Sequence, residues 1–289
     1  MKKWIVLLVI SLLPFTTLSA EARGKEVYIA LGDSLAAGQT PYRAIDAGYT
    51  DLIAQELTRS NQLALYSKAL AFPGYTTADV LSTVRTKEAK ELLKNATLVT
   101  ISVGANDLLR LVQVNPSNGS VAYQKVPVDF ALNSARKNVE EIIKEVKVIA
   151  PKAKVYVMGY YFAYPHVRES QQEGVRKELD TLHTILKAEA EANGATFISV
   201  AEIFEAQAKE LLPNAADVHP SLEGYRLMAN AFFSQYNKGL QVYPNELPAP
   251  NPLTFEQLIN KEKKDSKSPV SKIEGLDHYL SLTELKAYI

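Results

Sequence analysis

A serine that follows a predicted β-strand is the first residue in this chain whose type and position suggest chemistry. The sequence Gly32-Asp33-Ser34-Leu35 comes directly after the apolar run 27–31, which is typical of a buried strand. Because ligands bind at the carboxyl ends of the strands in open α/β sheets, Ser34 would stand where a substrate arrives. A serine in this position more often caps a helix, so Ser34 needs a base before it is a candidate nucleophile.

The base must come from four histidines. His183 falls inside a predicted helix and His278 in the C-terminal tail, while His166 follows a predicted strand and is the reserve candidate. The fourth lies in Asp217-Val218-His219-Pro220, just before the last predicted helix. An acid close to a histidine can fix the imidazole tautomer and stabilise the imidazolium that forms when the ring takes the serine proton. The candidate catalytic residues are therefore Ser34, Asp217 and His219.

An attacking serine also needs hydrogen-bond donors for the negative charge that develops on the substrate oxygen. Phe72-Pro73-Gly74-Tyr75 follows the second predicted strand, and the N–H of its glycine can approach a substrate closely. Gly104-Ala105-Asn106-Asp107 follows the third predicted strand and offers a side-chain amide at the same edge. Asn106 alone would be interpreted as a turn residue that satisfies the nearby backbone. Together with Ser34, these turns make Gly74 and Asn106 the candidate oxyanion donors.

Short apolar strands alternate with amphipathic helices between these motifs. The predicted strands are rich in Val, Ile, Leu and Tyr and cover residues 27–31, 63–67, 98–103, 154–160 and 196–200. The predicted helices have apolar residues three and four positions apart and cover residues 51–59, 78–93, 129–149, 173–192 and 222–236. The third helix is predicted to bury one stripe, made of Phe130, Val139, Ile142, Ile143, Val146 and Ile149. This alternation predicts a parallel sheet with right-handed crossovers and helices on both faces.

The order of the motifs resembles the four sequence blocks of the GDSL (SGNH) hydrolase superfamily. Gly32-Asp33-Ser34-Leu35 matches the first block, Gly74 the second-block glycine, Asn106 the Gly-x-Asn-Asp of the third block, and His219 the fourth block. The resemblance covers roughly residues 27–236 and implies a flavodoxin-like three-layer α/β/α sandwich with a five-stranded parallel sheet. It also implies hydrolysis of small-molecule carboxylic esters by a Ser-His-Asp acyl-enzyme mechanism without metal or cofactor. The serine of the first block would be the nucleophile and one N–H donor of the oxyanion hole.

Two positions depart from the family pattern. The family usually places its acid three residues before the histidine, whereas position 216 is alanine here and Asp217 stands two residues before His219. Either Asp217 reaches the ring through a shifted loop, or a backbone carbonyl orients a Ser–His pair. The second block has Ala71 where the family often has asparagine.

The sequence leaves the substrate open. Gly38-Gln39-Thr40-Pro41 and Gly48-Tyr49 resemble secreted bacterial lysophospholipase-type esterases, which favours lipid or lysophospholipid acyl esters. A carbohydrate O-acetylesterase is the alternative within enzymes, and a catalytically silent surface binding module is the alternative from another class.

Composition and the chain ends complete the prediction. The 289 residues include 32 basic and 32 acidic side chains, so no global field attracts nucleic acid, and the absence of cysteine excludes thiol catalysis and disulfides. Lys2 and Lys3, an apolar run and Ala20-Glu21-Ala22 predict an export signal over residues 1–22. A membrane span needs about 20 apolar residues, and Pro14 interrupts this run, so we expect the signal to be cleaved. We then expect a secreted or extracellular bacterial protein with no stable membrane insertion.

The rest of the chain is predicted to contain one domain and one appendage. An SGNH hydrolase domain covers residues 23–242, and a proline- and lysine-rich linker with a C-terminal tail covers residues 243–289. Within the domain, residues 111–128 are polar and loop-like and are predicted to overhang the active face as an insertion.

Overall fold

The structure, a computed structural model, describes residues 24–249. The predicted export signal, His278 and residues 250–289 of the predicted tail lie outside the described residues. The strands of this part are β1 (Glu26–Gly32), β2 (Leu63–Ala71), β3 (Leu98–Ser102), β4 (Gln113–Asn115), β5 (Ser120–Ala122), β6 (Lys154–Met158) and β7 (Thr196–Ile198). The helices are α1 (Ser34–Ala37), α2 (Tyr49–Arg59), α3 (Thr77–Val84), α4 (Lys87–Leu93), α5 (Ala105–Leu109), α6 (Lys125–Ile149), α7 (Gln172–Ala192), α8 (Ala201–Glu205), α9 (Ala208–Leu211) and α10 (Leu222–Tyr236).

Five strands form one parallel sheet in the order β2-β1-β3-β6-β7. Helices α2 and α10 pack against each other on one face, while α3, α6 and α7 lie side by side on the other. The strand order reverses between β1 and β3, so both strands carry their loops to the point where open α/β sheets bind ligands. The predicted three-layer sandwich with a five-stranded parallel sheet is confirmed.

Burial explains which strands are central. All five residues of β3 are buried, and so are Tyr28, Ile29 and Leu31 of β1. Each such aliphatic side chain contributes roughly 1.5–3 kcal/mol when it is removed from water. Strand β2 lies at the edge of the sheet and is partly exposed, with Leu65 at 48 %. Its sequence therefore did not need to be apolar on both faces.

The structure moves several predicted boundaries. Helix α10 has the predicted limits, but the single helix predicted over residues 78–93 is two helices, α3 and α4. The break follows from capping, because the Thr86 hydroxyl accepts a hydrogen bond from the N–H of Ala89 at 3.2 Å and starts a new helix.

The prediction that residues 111–128 form a loop was wrong in part. These residues, called the strap below, contain the antiparallel hairpin β4–β5 and the start of α6, which begins at Lys125 rather than at 129. The inclusion of Phe130 in the buried stripe of α6 was also wrong, since this side chain is 70 % exposed. Nine residues separate Phe130 from buried Val139, which at 3.6 residues per turn places them on opposite sides of the helix. None of the helices in the described range 24–249 has the length and apolar character needed to cross a membrane.

Candidate active site

Ser34 is positioned by a tight turn at the end of β1. It is the first residue of α1, and the Asp33 carboxylate caps this helix by accepting a hydrogen bond from the N–H of Leu35 at 3.0 Å. Gly32 has a φ of 139°, and a Cβ there would lie 2.1 Å from the backbone oxygen of Ser102. Only glycine allows β1 to pass this close to β3 before it turns. The turn therefore presents Ser34 at the carboxyl edge of the sheet.

The structure brings the three predicted catalytic residues together. His219 Nε2 lies 2.7 Å from Ser34 Oγ, although the two residues are 185 positions apart. His219 Nδ1 lies 2.6 Å from Asp217 Oδ1, and the same oxygen accepts the backbone N–H of His219 at 2.8 Å. Ser34 and His219 are 7 % and 9 % exposed. This is the geometry required of a serine nucleophile, its base and an acid that orients the base.

The candidate oxyanion donors lie on neighbouring turns. Asn106 lines the same cavity as Ser34 and His219, and its Nδ2 donates to the backbone oxygen of Tyr75 at 2.9 Å. Gly74 adopts a φ of 83°, and a Cβ added there would meet no atom within 4 Å. Gly74 is not among the residues that line the cavity, and it is joined to Asn106 through the Tyr75 carbonyl next to it.

Sequence reasoning missed the support beneath Ser34. The buried carboxylate of Asp33 accepts hydrogen bonds from the Tyr160 hydroxyl at 2.5 Å and the Ser102 hydroxyl at 2.9 Å. Burial raises the pKa of Asp33, while these donors and the nearby His219 act in the opposite direction. Tyr160 stood at the end of a predicted strand, and no local signal linked it to a residue 127 positions away.

The other described histidines lie away from Ser34. His183 Nε2 accepts the N–H of Tyr160 at 3.1 Å, and burial lowers the pKa of His183. His166, the reserve candidate, bonds through Nε2 to the backbone oxygen of Leu212 at 2.7 Å. Across residues 24–249, no group of three or more His, Asp or Glu side chains could hold a metal ion.

An apolar cavity opens beside Ser34. It encloses about 780 Å³ of space not occupied by protein atoms, part of which is open to solvent. Its walls come from α5, α7 and the loop after β6, and the strap contributes Val112, Tyr123 and Val128. Many of the lining side chains are aliphatic or aromatic, among them Leu108, Leu109, Tyr161, Phe162, Leu179 and Leu182. An apolar lining of this kind suits an apolar group attached to the reacting carbonyl.

One charged side chain interrupts the apolar wall away from Ser34. Glu178 of α7 is 6 % exposed, and its carboxylate accepts hydrogen bonds from Lys125 Nζ at 3.0 Å and from the Tyr123 hydroxyl at 3.3 Å. These bonds tie the strap to α7.

Comparison with known families identifies the chain. The model of the GDSL-like lipase/acylhydrolase family matches residues 30–227, a range that is more than half of the chain and contains every candidate site residue. The chain belongs to the GDSL-like lipase/acylhydrolase family. The resemblance to this family and the expected class of enzyme, a GDSL-type carboxylic ester hydrolase, are thereby confirmed.

Three known proteins, two of them with solved structures, are similar to this chain. A Bacillus subtilis (strain 168) protein named YpmR, described as uncharacterised, is 23 % identical over 222 residues, which cover 75 % of this chain and 85 % of YpmR. The lipase Lip_vut3 from a goat rumen metagenome has a TM-score of 0.59 at 23 % identity, covering 72 % of this chain and 95 % of the lipase. Axe2, an acetylxylan esterase from Geobacillus stearothermophilus, has a TM-score of 0.56 at 20 % identity, covering 74 % of this chain and 96 % of Axe2. At these identities the two structures establish the fold that this GDSL-family member shares with them.

Proposed function

We propose that this GDSL-family enzyme hydrolyses esters of apolar acyl chains, such as lipid or lysophospholipid acyl esters, through an acyl-enzyme on Ser34. The observation that carries the proposal is the hydrogen-bonded series Asp217–His219–Ser34 at the mouth of an apolar cavity.

The reaction follows from the positions of the proton donors and acceptors. As Ser34 Oγ attacks the ester carbonyl, His219 Nε2 takes the serine proton, and Asp217 holds the ring and stabilises the imidazolium. The N–H groups of Ser34 and Gly74 and the side chain of Asn106 bind the oxyanion. The carbon–oxygen bond to the alcohol then breaks, and the alcohol leaves with the proton from His219. Water, deprotonated by His219, attacks the acyl-enzyme and releases the carboxylic acid and free Ser34.

Replacement of Ser34 tests the mechanism. Ser34→Ala is expected to reduce turnover of p-nitrophenyl octanoate to background and to abolish labelling by a fluorophosphonate probe, because both need an activated serine. Ser82→Ala, at an exposed position of α3, is the matched control and is expected to leave both unchanged. Wild-type turnover in Ser34→Ala would refute the mechanism. A wild-type protein that hydrolyses no ester and takes up no probe would indicate the silent binding module.

A chain-length series tests the substrate. The aliphatic and aromatic lining predicts that kcat/KM rises from p-nitrophenyl acetate to butyrate and octanoate, because each added methylene leaves water for the cavity, worth about 0.8 kcal/mol. A preference for acetate, together with release of acetate from acetylated polysaccharide, would indicate the carbohydrate O-acetylesterase instead.

We further propose that residues 1–22 direct export and are removed, so that the enzyme acts outside the cell. N-terminal sequencing of the protein recovered from the medium should begin at residue 23. Recovery of the full-length chain from the cytoplasm alone would contradict this proposal.

A further inference from the structure

The short helix α5 holds the turn that follows β2. Asn106 begins this contact by donating from Nδ2 to the backbone oxygen of Tyr75 at 2.9 Å. Four residues later, Arg110 donates from Nη2 to the backbone oxygen of Gly74 at 2.7 Å. Arg110 directly follows α5 and keeps a helical backbone. Since residues four apart lie on the same side of a helix, Asn106 and Arg110 reach two successive carbonyl groups of one turn.

Asp107 of α5 holds the start of α3, which follows this turn. The Asp107 carboxylate accepts the N–H of Thr77 at 2.9 Å and the Thr77 hydroxyl at 2.6 Å. Thr77 is fully buried and also accepts a hydrogen bond from Asn138 Nδ2 of α6 at 3.0 Å. The start of α3 is therefore fixed to α5 and α6, and the turn before it is fixed to α5.

Gly74 lies in a turn that its own backbone closes with one hydrogen bond. The Tyr75 N–H bonds to the Phe72 oxygen at 3.2 Å, and the Gly74 oxygen belongs to the same peptide group as this N–H. Gly74 has a φ of 83°, and a Cβ built there would find no atom within 4 Å, so nothing packs against this side of the residue. Glycine also has the widest range of backbone angles of any residue. The bond from Arg110 to the Gly74 oxygen therefore adds a second restraint on this peptide group, from its carbonyl side.

The side chain of Arg110 is largely exposed, at 61 %. Arg110 is not among the residues lining the cavity. Its nearest carboxylate, Asp79, lies 3.7 Å away, an exposed ion pair of the kind that contributes little to stability. The short bond to the Gly74 oxygen is thus the contact through which Arg110 can affect the reaction.

We propose that Arg110 is a positioning residue, which holds the turn at Gly74 so that the Gly74 N–H, in the preceding peptide group, points towards the oxyanion. The proposal rests on the proposed ester hydrolysis, in which the Gly74 N–H is an oxyanion donor. Such donors act only when they are held within about 0.5 Å of the productive geometry. Arg110 and Asn106 together hold both carbonyls that follow this N–H, while Asp107 anchors the segment further on.

Substitution of Arg110 tests the proposal on p-nitrophenyl octanoate. Loss of an oxyanion donor costs about 10²–10³ in rate, so loss of its support in Arg110→Ala should lower kcat by about tenfold or more. KM should stay within about twofold, because ground-state binding is unchanged. Arg110→Lys should recover part of the loss, since an ammonium can still donate to the Gly74 oxygen. Arg85→Ala is the matched control, because Arg85 is an arginine 47 % exposed that pairs with Glu141 and Glu145 far from the turn, and it should behave as wild type.

A second measurement separates positioning from a merely structural role. An alkyl boronic acid forms a tetrahedral adduct with the catalytic serine, and one oxygen of this adduct occupies the position of the oxyanion. The affinity of the boronic acid for Arg110→Ala should therefore fall by the same factor as kcat/KM. The pH profile of kcat should keep its midpoint, because the Ser34–His219 pair is untouched. Unchanged kcat and boronate affinity in Arg110→Ala would overturn the proposal, as would a rise in KM with kcat intact.

If Arg110→Ala does not fold, Arg110→Lys and Arg110→Gln supply the same comparison. Full activity of Ser34→Ala would refute the proposed function itself, whereas an inactive Ser34→Ala beside a fully active Arg110→Ala would refute only the role of Arg110.

Discussion

The position of Asp217 shows how one residue can serve two hydrogen bonds. Its Oδ1 accepts both the backbone N–H and the ring Nδ1–H of the same residue, His219. A side-chain acceptor two residues before a backbone N–H is the spacing of an Asx turn. The two-residue spacing therefore lets the acid fold back on His219, and the loop needs no support from a residue at position 216.

Replacement of Asp217 should separate a triad from a Ser–His pair. Asp217→Ala and Asp217→Asn should each lower kcat for p-nitrophenyl octanoate by about 10³–10⁴, because the ring loses its tautomer control and the imidazolium its counter-charge. The exposed Asp180→Asn on α7 is the control, expected to behave as wild type. A loss below about tenfold in both Asp217 variants would show that a backbone group orients the base.

His183 makes the stability of the protein sensitive to mild acid. Burial lowers the pKa of His183. Its Nε2 accepts a hydrogen bond from the N–H of Tyr160, and a protonated ring cannot do so because Nε2 then carries a hydrogen. The unfolded chain takes up a proton near the ordinary pKa of about 6.5, while the folded protein does so only at lower pH. The contribution of His183 to stability is therefore present above about pH 6.5 and is lost as the pH falls through the folded pKa.

This dependence can be measured by thermal unfolding from about pH 7.5 to pH 5. His183→Gln keeps an acceptor for Tyr160 but has no proton to gain, so its midpoint should fall less than that of the wild type over this range. Thr184→Ala, at the neighbouring exposed position of α7, has no titratable group and is the control that should follow the wild type. Asp33 acts in the opposite direction, since its pKa is raised, but it is present in all three proteins. Identical slopes for His183→Gln and wild type would contradict the assignment.

At the scale of elements, the strap is fastened to α7 by a buried carboxylate. The Glu178 side chain is 7 % exposed, whereas that of its partner Lys125 is 54 % exposed. The Tyr123 hydroxyl also donates to the Gly174 oxygen at 3.1 Å. Loss of the lysine should therefore cost more stability than loss of the glutamate, because only the first leaves a buried charge without its partner.

This inequality gives a prediction for a double-mutant cycle. Lys125→Met should lower the midpoint of thermal unfolding and reduce kcat/KM for octanoate more than for acetate, because Glu178 and the strap line the apolar cavity beside Ser34. Adding Glu178→Gln should recover most of the lost stability, since a neutral amide tolerates burial better. Lys144→Met removes an exposed pair with Glu140 further along α6 and should have no effect. Additive losses in the double variant would rule out the proposed coupling.

At the scale of the whole molecule, the chain after α10 returns to α2. The Val242 oxygen accepts hydrogen bonds from Arg226 Nη1 and Asn230 Nδ2, each at 3.0 Å. Beyond it, Gln55 Nε2 of α2 donates to the Glu246 oxygen at 2.9 Å, and Arg59 pairs with the Glu246 carboxylate. These contacts join the chain after α10 to both helices on this face of the sheet, α2 and α10.

Truncation tests how far the stable unit extends. A chain ending after Leu247 keeps the bonds to Glu246 and is the reference protein. A chain ending after Val242 loses the bonds to Glu246 and should unfold about 2–4 °C lower, since one hydrogen bond is worth about 1 kcal/mol in a domain of this size. Equal midpoints for the two truncated proteins would show that residues 243–247 contribute nothing.

Much of the architecture and family could be predicted from local sequence. Alternating apolar strands and amphipathic helices predicted the sheet. Burial on both faces gives a strand a short continuous apolar run, and burial on one side gives a helix a period of 3.6 residues. The four motifs and their order resembled the sequence blocks of the GDSL family, and such blocks can be compared because each is a short local segment. Helix ends were less predictable, as Thr86 and Phe130 show, since a cap or a change of helical phase involves only one or two residues.

Tertiary structure decided the rest, since contacts between distant segments leave no periodic trace in the chain. It placed His219 rather than His166 beside Ser34, brought Asp217 within reach of the ring, and joined Tyr160 to Asp33. It also formed the apolar cavity from α5, α7 and the strap, none of which shows by itself that it lines a cavity beside Ser34. The sequence by itself determined which residues could do the chemistry and the sheet that carries them. Which of these residues contact one another was decided only by the packing of segments far apart in the chain, because such contacts depend on how all the helices and strands bury their apolar surfaces together.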